Sequence, residues 1–158
     1  MFEAFKRLFG RRDKVSRLAH RTDRRAFVDA FVSSDVVVMA ALHGDGIDPS
    51  QFTQEQILAE MERSARDLAE DRQREPFVYV RDGVRRLPVF TSMENAQRFG
   101  GEYCRQRNRM FAFQTLQVSG DTVRGLIPAC DVVVLNDACA DEYVLSEADI
   151  ELLRSAAG

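Results

Sequence analysis

Asp82-Gly83 stands between two apolar and β-branched runs, Phe77-Val78-Tyr79-Val80-Arg81 and Val84 to Phe90, and is the strongest short-range hairpin signal in the chain. A two-residue turn of this kind needs positive φ at both positions, which Asp-Gly tolerates and most dipeptides do not. The pair therefore predicts two antiparallel strands and commits the chain to a sheet. Pro88 falls inside the second run and cannot donate a ladder hydrogen bond, so that strand is expected to have an exposed edge or a bulge there. Thr91 with Glu94 fits the spacing of a capping box, which ends the strand at about Phe90 and starts a helix. This helix is expected to run from Ser92 to Phe99 and to stop at Gly100-Gly101, where glycine adopts a left-handed terminal conformation. A further turn or helix spans roughly Glu102 to Asn108.

The remaining segments supply the layers around that hairpin. Thr22 or Asp23 can cap a helix carrying Ala26, Phe27, Ala30 and Phe31 as one stripe. Val36 to Leu42 is a continuous apolar run, as in a strand covered on both faces, and is placed at the sheet's centre. Thr53 and Gln56 make another capping pattern, followed by an apolar stripe of Ile57, Leu58, Met61, Ala65 and Leu68 on a helix that ends before Pro76. Phe111 to Val118 reads as a strand, Val123 to Pro128 as a helix and Asp131 to Leu135 as a buried strand. Last come an extended Tyr143 to Leu145 and a helix capped by Ser146 with Asp149. This order indicates a single α/β or α+β domain, a mixed β-sheet containing a β-hairpin, with helices packed on it.

Charge divides the chain more sharply than composition does. Residues 6 to 25 hold nine Lys/Arg against Asp13 and Asp23, whereas the rest holds thirteen cations against twenty-three carboxylates. Residues 1–21 are therefore set apart as a basic aromatic segment preceding a domain over 22–158. Within it Phe2, Phe5, Leu8 and Phe9 recur at helical spacing beside Lys6 and Arg7, a pattern suited to an anionic membrane surface or to a partner. The longest apolar run, Val36 to Leu42, is far below the ~20 residues that cross a bilayer, and no secretory signal is visible. A cytoplasmic location is expected, with membrane association through the basic segment as the alternative. The arginines of the body are scattered over an acidic background, so no nucleic-acid partner is expected.

Two further stretches, taken with the hairpin's second strand, carry a family resemblance. Leu87-Pro88-Val89-Phe90-Thr91-Ser92-Met93-Glu94-Asn95-Ala96, then Val132-Val133-Val134-Leu135-Asn136 followed by Tyr143 to Ile150, resemble the N-terminal domain of the SseB family, named for enhanced serine sensitivity. The resemblance implies a bacterial accessory domain without established catalysis. The family often carries a second, C-terminal domain, for which 158 residues are expected to leave no room. The family's loop after the asparagine usually continues proline, glycine, serine. Here Asp137, Ala138 and Cys139 follow Asn136.

That loop, Asn136 to Glu142, follows a buried strand, where α/β sheets commonly place ligands. Asn136 also has a plainer role open to it, hydrogen bonding the backbone to shape a turn. Cys139 is the one thiol in the loop, but Asp137, Asp141 and Glu142 beside it raise a thiol pKa. Cys104, Cys130 and Cys139 make no C-x-x-C pair, and His20 and His43 lie in separate segments, so neither a metal site nor a cofactor is expected. Gly-rich phosphate loops and serine nucleophile motifs do not occur. The expectation is a non-enzymatic protein-binding module, contacting its partner through Pro88 and the loop at Asn136, Asp137 and Cys139. The alternatives are a peripheral membrane adaptor and a thiol or small-molecule enzyme using Cys139; self-association stays open.

Overall fold

The computed structural model describes residues 14–41, 46–70 and 75–156. The hairpin forms as Asp-Gly requires: β2 (Tyr79–Arg81) and β3 (Val84–Phe90) pair antiparallel with Arg81 opposite Val84. Asp82 and Gly83 take φ values of 53° and 79°, the left-handed geometry of a primed turn. Before it come α1 (residues 14–19), α2 (Arg24–Val32), β1 (Asp35–Ala41) and α3 (Gln54–Glu70). After it come α4 (Met93–Arg107), β4 (Phe113–Ser119), α5 (Gly120–Leu126), β5 (Val132–Leu135), β6 (Tyr143–Val144) and α6 (Glu147–Ser155). The strands form one mixed six-stranded sheet, in the order β4-β1-β3-β5-β6 with β2 also on β3. β3 and β5 run parallel and the other pairs antiparallel, giving a single α/β domain.

Pro88 is not on an edge strand. It is buried inside β3, which has β5 on one side and both β1 and β2 on the other. The backbones of Arg85 and Val89 face β5, since Asp131 N donates to Arg85 O and Asn136 N to Val89 O, each at 2.8 Å. By alternation Arg86, Pro88 and Phe90 face the opposite neighbour. There Phe90 pairs with Val37 and Arg86 with Tyr79, and Pro88 lies between. The carbonyl of Met39, next in the β1 ladder, instead accepts from Phe77 N at 2.7 Å. The sheet thus forks where proline withholds a donor, and residues 76–81 enter between β1 and β3. A proline needs a position without a ladder partner, and a fork supplies one as well as an edge does.

Gly100-Gly101 does not end α4, which runs unbroken to Arg107 and stops at Asn108 with φ 48°. A Cβ on Gly100 would lie 3.3 Å from the Phe113 ring and 3.4 Å from Met39 Cε, so glycine here serves close approach of helix to sheet. The cap is also one residue later than the spacing of Thr91 and Glu94 suggests: Ser92 Oγ accepts from Asn95 N at 3.1 Å. Thr91 is buried and bonded to Asn136 instead, while Glu94 reaches Arg98 at 3.6 Å on the solvent side.

The two faces of the sheet are packed differently. Val36 and Val38 of β1, Leu87 and Val89 of β3, and Val133 and Leu135 of β5 point into one core with Val15 and Ala19 of α1, Phe27 and Phe31 of α2, Val123 of α5 and Leu153 of α6. Residues 14–19, which charge groups with the N-terminal segment, therefore share the domain's main core. Val37, Met39 and Phe90 point the other way, onto Ala96 and Phe99 of α4, with Phe77, Tyr79, Tyr103 and Phe113 around them. α3 begins with the reciprocal bonds of its predicted cap, Thr53 N to Gln56 Oε1 at 2.9 Å and Gln56 N to Thr53 Oγ1 at 3.3 Å. Of its apolar stripe, Leu58 is 58% exposed and Ala65 is exposed, while Ile57 and Met61 are half-buried. α6 carries the full capping box between Ser146 and Asp149.

Candidate functional site

β3 and β5 run parallel, so their C-terminal ends bring Thr91, the start of α4 and the loop 136–142 together. That is where an α/β sheet opens a crevice. Asn136 is fully buried and holds the two segments as a clasp. Its Oδ1 accepts from Thr91 N at 2.9 Å and from Asn95 Nδ2 at 3.1 Å, and its Nδ2 donates to Thr91 Oγ1 at 3.1 Å and Asp141 Oδ2 at 2.8 Å. Asp141 also accepts from Ser16 Oγ, tying α1 to the same loop. The amide is filled by protein partners, and φ of 51° is one that asparagine adopts more readily than most residues. The side chain is spent on tying Thr91 and Asn95 to the loop at Asp141.

Asp137 turns from the clasp toward the aromatic face. It is 2% exposed and accepts a hydrogen bond from the Tyr79 hydroxyl. Burial raises its pKa above the ordinary carboxylate value, overcoming the opposing Tyr79 bond and the Arg86 charge, with Glu142 adding to the rise. Burial, together with that same bond, raises the Tyr79 phenol. Arg86 is shared between two acids, 3.9 Å from Asp137 and 3.7 Å from Glu142. Glu142 also accepts from Ala138 N at 2.9 Å, closing the loop on itself. Ala138 has φ 60°, a left-handed conformation that costs an L-residue roughly 1–2 kcal/mol.

Against this loop lies a cleft of about 50 Å³, bounded by Tyr79, Arg81, Phe99, Glu102, Tyr103 and Gln106 with Asp137 and Ala138 at one end. Its walls are rings: Tyr79 and Phe99 have centroids 5.6 Å apart, Tyr79 and Tyr103 5.6 Å, and Phe99 and Tyr103 5.8 Å. Small-molecule sites usually offer roughly 300 Å³ or more, so this cleft has the size of the end of one side chain. Glu102 at its rim is held by Arg105 at 2.6 Å and Gln106 at 2.8 Å. The Arg107 guanidinium stacks over the Tyr103 ring at 4.5 Å.

The residues singled out in the sequence fall in three places. Asn136, Asp137 and Cys139 share the loop, but only Asp137 lines the cleft. Pro88 is inside the sheet. Phe2, Phe5, Lys6, Arg7, Leu8 and Phe9 lie outside the described residues. Burial raises the Cys139 thiol, and nearby Asp141 adds to the rise while Arg98 opposes it, which keeps it in the weakly nucleophilic protonated form at neutral pH. Among the described residues no group of three His, Cys, Asp or Glu could hold a metal ion, and no helix is long and apolar enough to cross a membrane. Tyr79, Phe99 and Tyr103 escaped the sequence reading. Their signal was present as Phe77 and Tyr79 alternating on one strand and Phe99 and Tyr103 four apart on one helix, but a helix break at Gly100 hides the second pair.

The curated proteins and the solved structures contain no match to this chain. A family model does match, that of the SseB protein N-terminal domain, over residues 13–152. The match spans α1 through most of α6 and includes the clasp, the loop and every ring of the cleft. The chain belongs to the SseB family, through its N-terminal domain.

Proposed function

We propose that this domain is a non-enzymatic protein-binding module that receives a side chain of its partner in the aromatic cleft between β2 and α4. The observation that carries the reading is the contrast between rings and polar groups at the site. Tyr79, Phe99 and Tyr103 line open space, whereas Asn136, Asp137, Glu102 and Glu142 each hold a bond or ion pair within the protein. Aromatic side chains around a small concavity are the usual anchor points of protein interfaces. Chemistry would require an activated group, and the thiol beside the cleft is shifted away from reactivity.

Bulk placed in the cleft tests this. Gln106 is exposed at the rim, so Gln106→Trp obstructs the cleft without entering the core, and Glu151→Trp on exposed α6 serves as control. Affinity capture from the native cell should yield a discrete protein retained by the unaltered chain and by Glu151→Trp, and lost at least tenfold with Gln106→Trp. The same proteins retained equally by all three would contradict the reading.

A further inference from the structure

β4 ends the sheet on one side, and nothing in its sequence closes that edge to another strand. Its seven residues, Phe113-Gln114-Thr115-Leu116-Gln117-Val118-Ser119, include no charge and no proline, whereas long edge strands ordinarily carry one or the other. β6, at the opposite end, is only two residues long. Gly120 N donates to Ser34 O at 2.8 Å, and Ser119 lies opposite Asp35 in the same ladder, so by alternation Gln114, Leu116 and Val118 turn their backbones toward β1. Phe113, Thr115 and Gln117 turn theirs outward, and no strand among the described residues pairs with them. None of the seven is buried, against five of seven in β1, which has a neighbour on each side.

Two further observations say what strand fits there. The flanks of β4 are oppositely charged: Arg107 and Arg109 precede it, while Asp121 follows it and Asp35 stands opposite its last residue. A second β4 laid antiparallel sets the basic flank of each copy beside the acidic flank of the other, and no like charges meet along the strands. α3 packs against β4, yet none of its described residues belongs to either core, and its Leu58 is 58% exposed. A two-fold axis normal to the joined sheet brings the two α3 helices onto the same face beside that axis. A strand edge alone falls short of the roughly 800 Å² per partner of a standard interface, and α3 extends it.

We propose that two copies of this chain pair antiparallel through β4 and form one continuous sheet about a two-fold axis. Phe113, Thr115 and Gln117 supply the ladder bonds, and the apolar residues of α3 widen the interface. Because the axis is normal to the sheet, α4 of each copy stays on the same side, so the pair presents its two aromatic clefts on one face. The pairing itself requires no other protein.

Sedimentation equilibrium of the purified full-length chain, with no other protein present, is the test. A species of dimer mass is expected at tens of micromolar. Thr115→Pro removes an outward N–H and no bond to β1, and Thr115→Glu sets two carboxylates near the axis. Each should raise the dimer dissociation constant at least tenfold and keep the circular dichroism spectrum of the unaltered chain. Leu58→Glu on α3 should raise it at least threefold, and Gln106→Trp at the cleft rim should leave it within twofold. An unaltered chain that sediments as a monomer at that concentration, or edge variants that dimerise as well as it does, would overturn the proposal. So would a monomeric chain whose captured partner is lost with Thr115→Pro, which would assign β4 to a foreign strand. A monomer leaves the protein-binding reading of the cleft standing, and failure to capture a partner leaves the dimer standing.

Discussion

The two faces of the sheet are closed to different degrees. One is closed: aliphatic residues of β1, β3 and β5 meet α1, α2, α5 and α6 in a core where Phe31, Leu87, Leu135 and Leu153 are fully buried. The other is covered chiefly by α4, and its rings at Phe77, Tyr103, Phe111 and Phe113 remain half-buried. Each face also carries a buried carboxylate, and the two behave in opposite ways. Asp149 on the closed side accepts from Arg24 Nε at 2.7 Å, Tyr143 at 2.7 Å and Ser146 N at 2.8 Å. Burial works against its charge, yet these bonds hold its pKa below the ordinary value. Asp137 on the open side, which accepts from Tyr79 and shares Arg86 with Glu142, is raised by its burial. A face that supplies its carboxylate with several donors is built for stability. The other face leaves its carboxylate with Tyr79 and a shared arginine, beside a cleft of rings.

Truncation of the large residues should expose this inequality most strongly. Phe31→Ala removes a fully buried ring and should cost about 3–5 kcal/mol in urea unfolding. Phe113→Ala, half-buried on the open face, should cost about 1–2 kcal/mol; equal costs would break the comparison. The glycines extend it. A Cβ on Gly120 would stand 1.9 Å from Phe31 O, so Gly120→Ala should cost about 3 kcal/mol. Gly101→Ala, with open space around it on α4, should gain about 0.5–1 kcal/mol.

The carboxylates sharpen the comparison through pH. Because the folded pKa of Asp149 is lowered, its contribution is present above the unfolded value, near 4, and is lost as pH falls through the folded value. Asp149→Asn should therefore lose about 2 kcal/mol at neutral pH and flatten the acid limb of a stability profile. The folded pKa of Asp137 is raised, so its contribution is complete below the unfolded value and is lost as pH rises through the folded one. Asp137→Asn should leave stability at pH 7 equal or higher and remove the decline across mildly acidic pH. A profile in which both variants lose stability in the same pH range would contradict the assignment. The smallest effect belongs to the loop: Ala138→Gly should relieve its left-handed backbone and gain about 1 kcal/mol in the same unfolding measurement.

Local signals in the sequence carried over well. Asp82-Gly83 contains its own turn geometry, and the caps at Thr53 and Ser146 need only residues three apart, so each was legible without the fold. The continuous apolar character of Val36 to Leu42 likewise reported a strand buried on both faces. Pro88 and Gly100 misled because their meaning is not local. A missing donor inside a sheet depends on Phe77 taking the Met39 carbonyl, and a glycine inside a helix depends on Phe113 approaching from another strand. The loop after Asn136 was found from the end of a buried strand, but the cleft beside it takes its walls from β2, α4 and the loop at once. No single stretch of sequence contains that convergence.

The most direct measurement pairs binding with stability for one rim variant. Gln106→Trp should lose partner capture at least tenfold while its urea midpoint stays within experimental error of the unaltered chain. Capture undiminished at an unchanged midpoint would show that the open aromatic face is not the binding face.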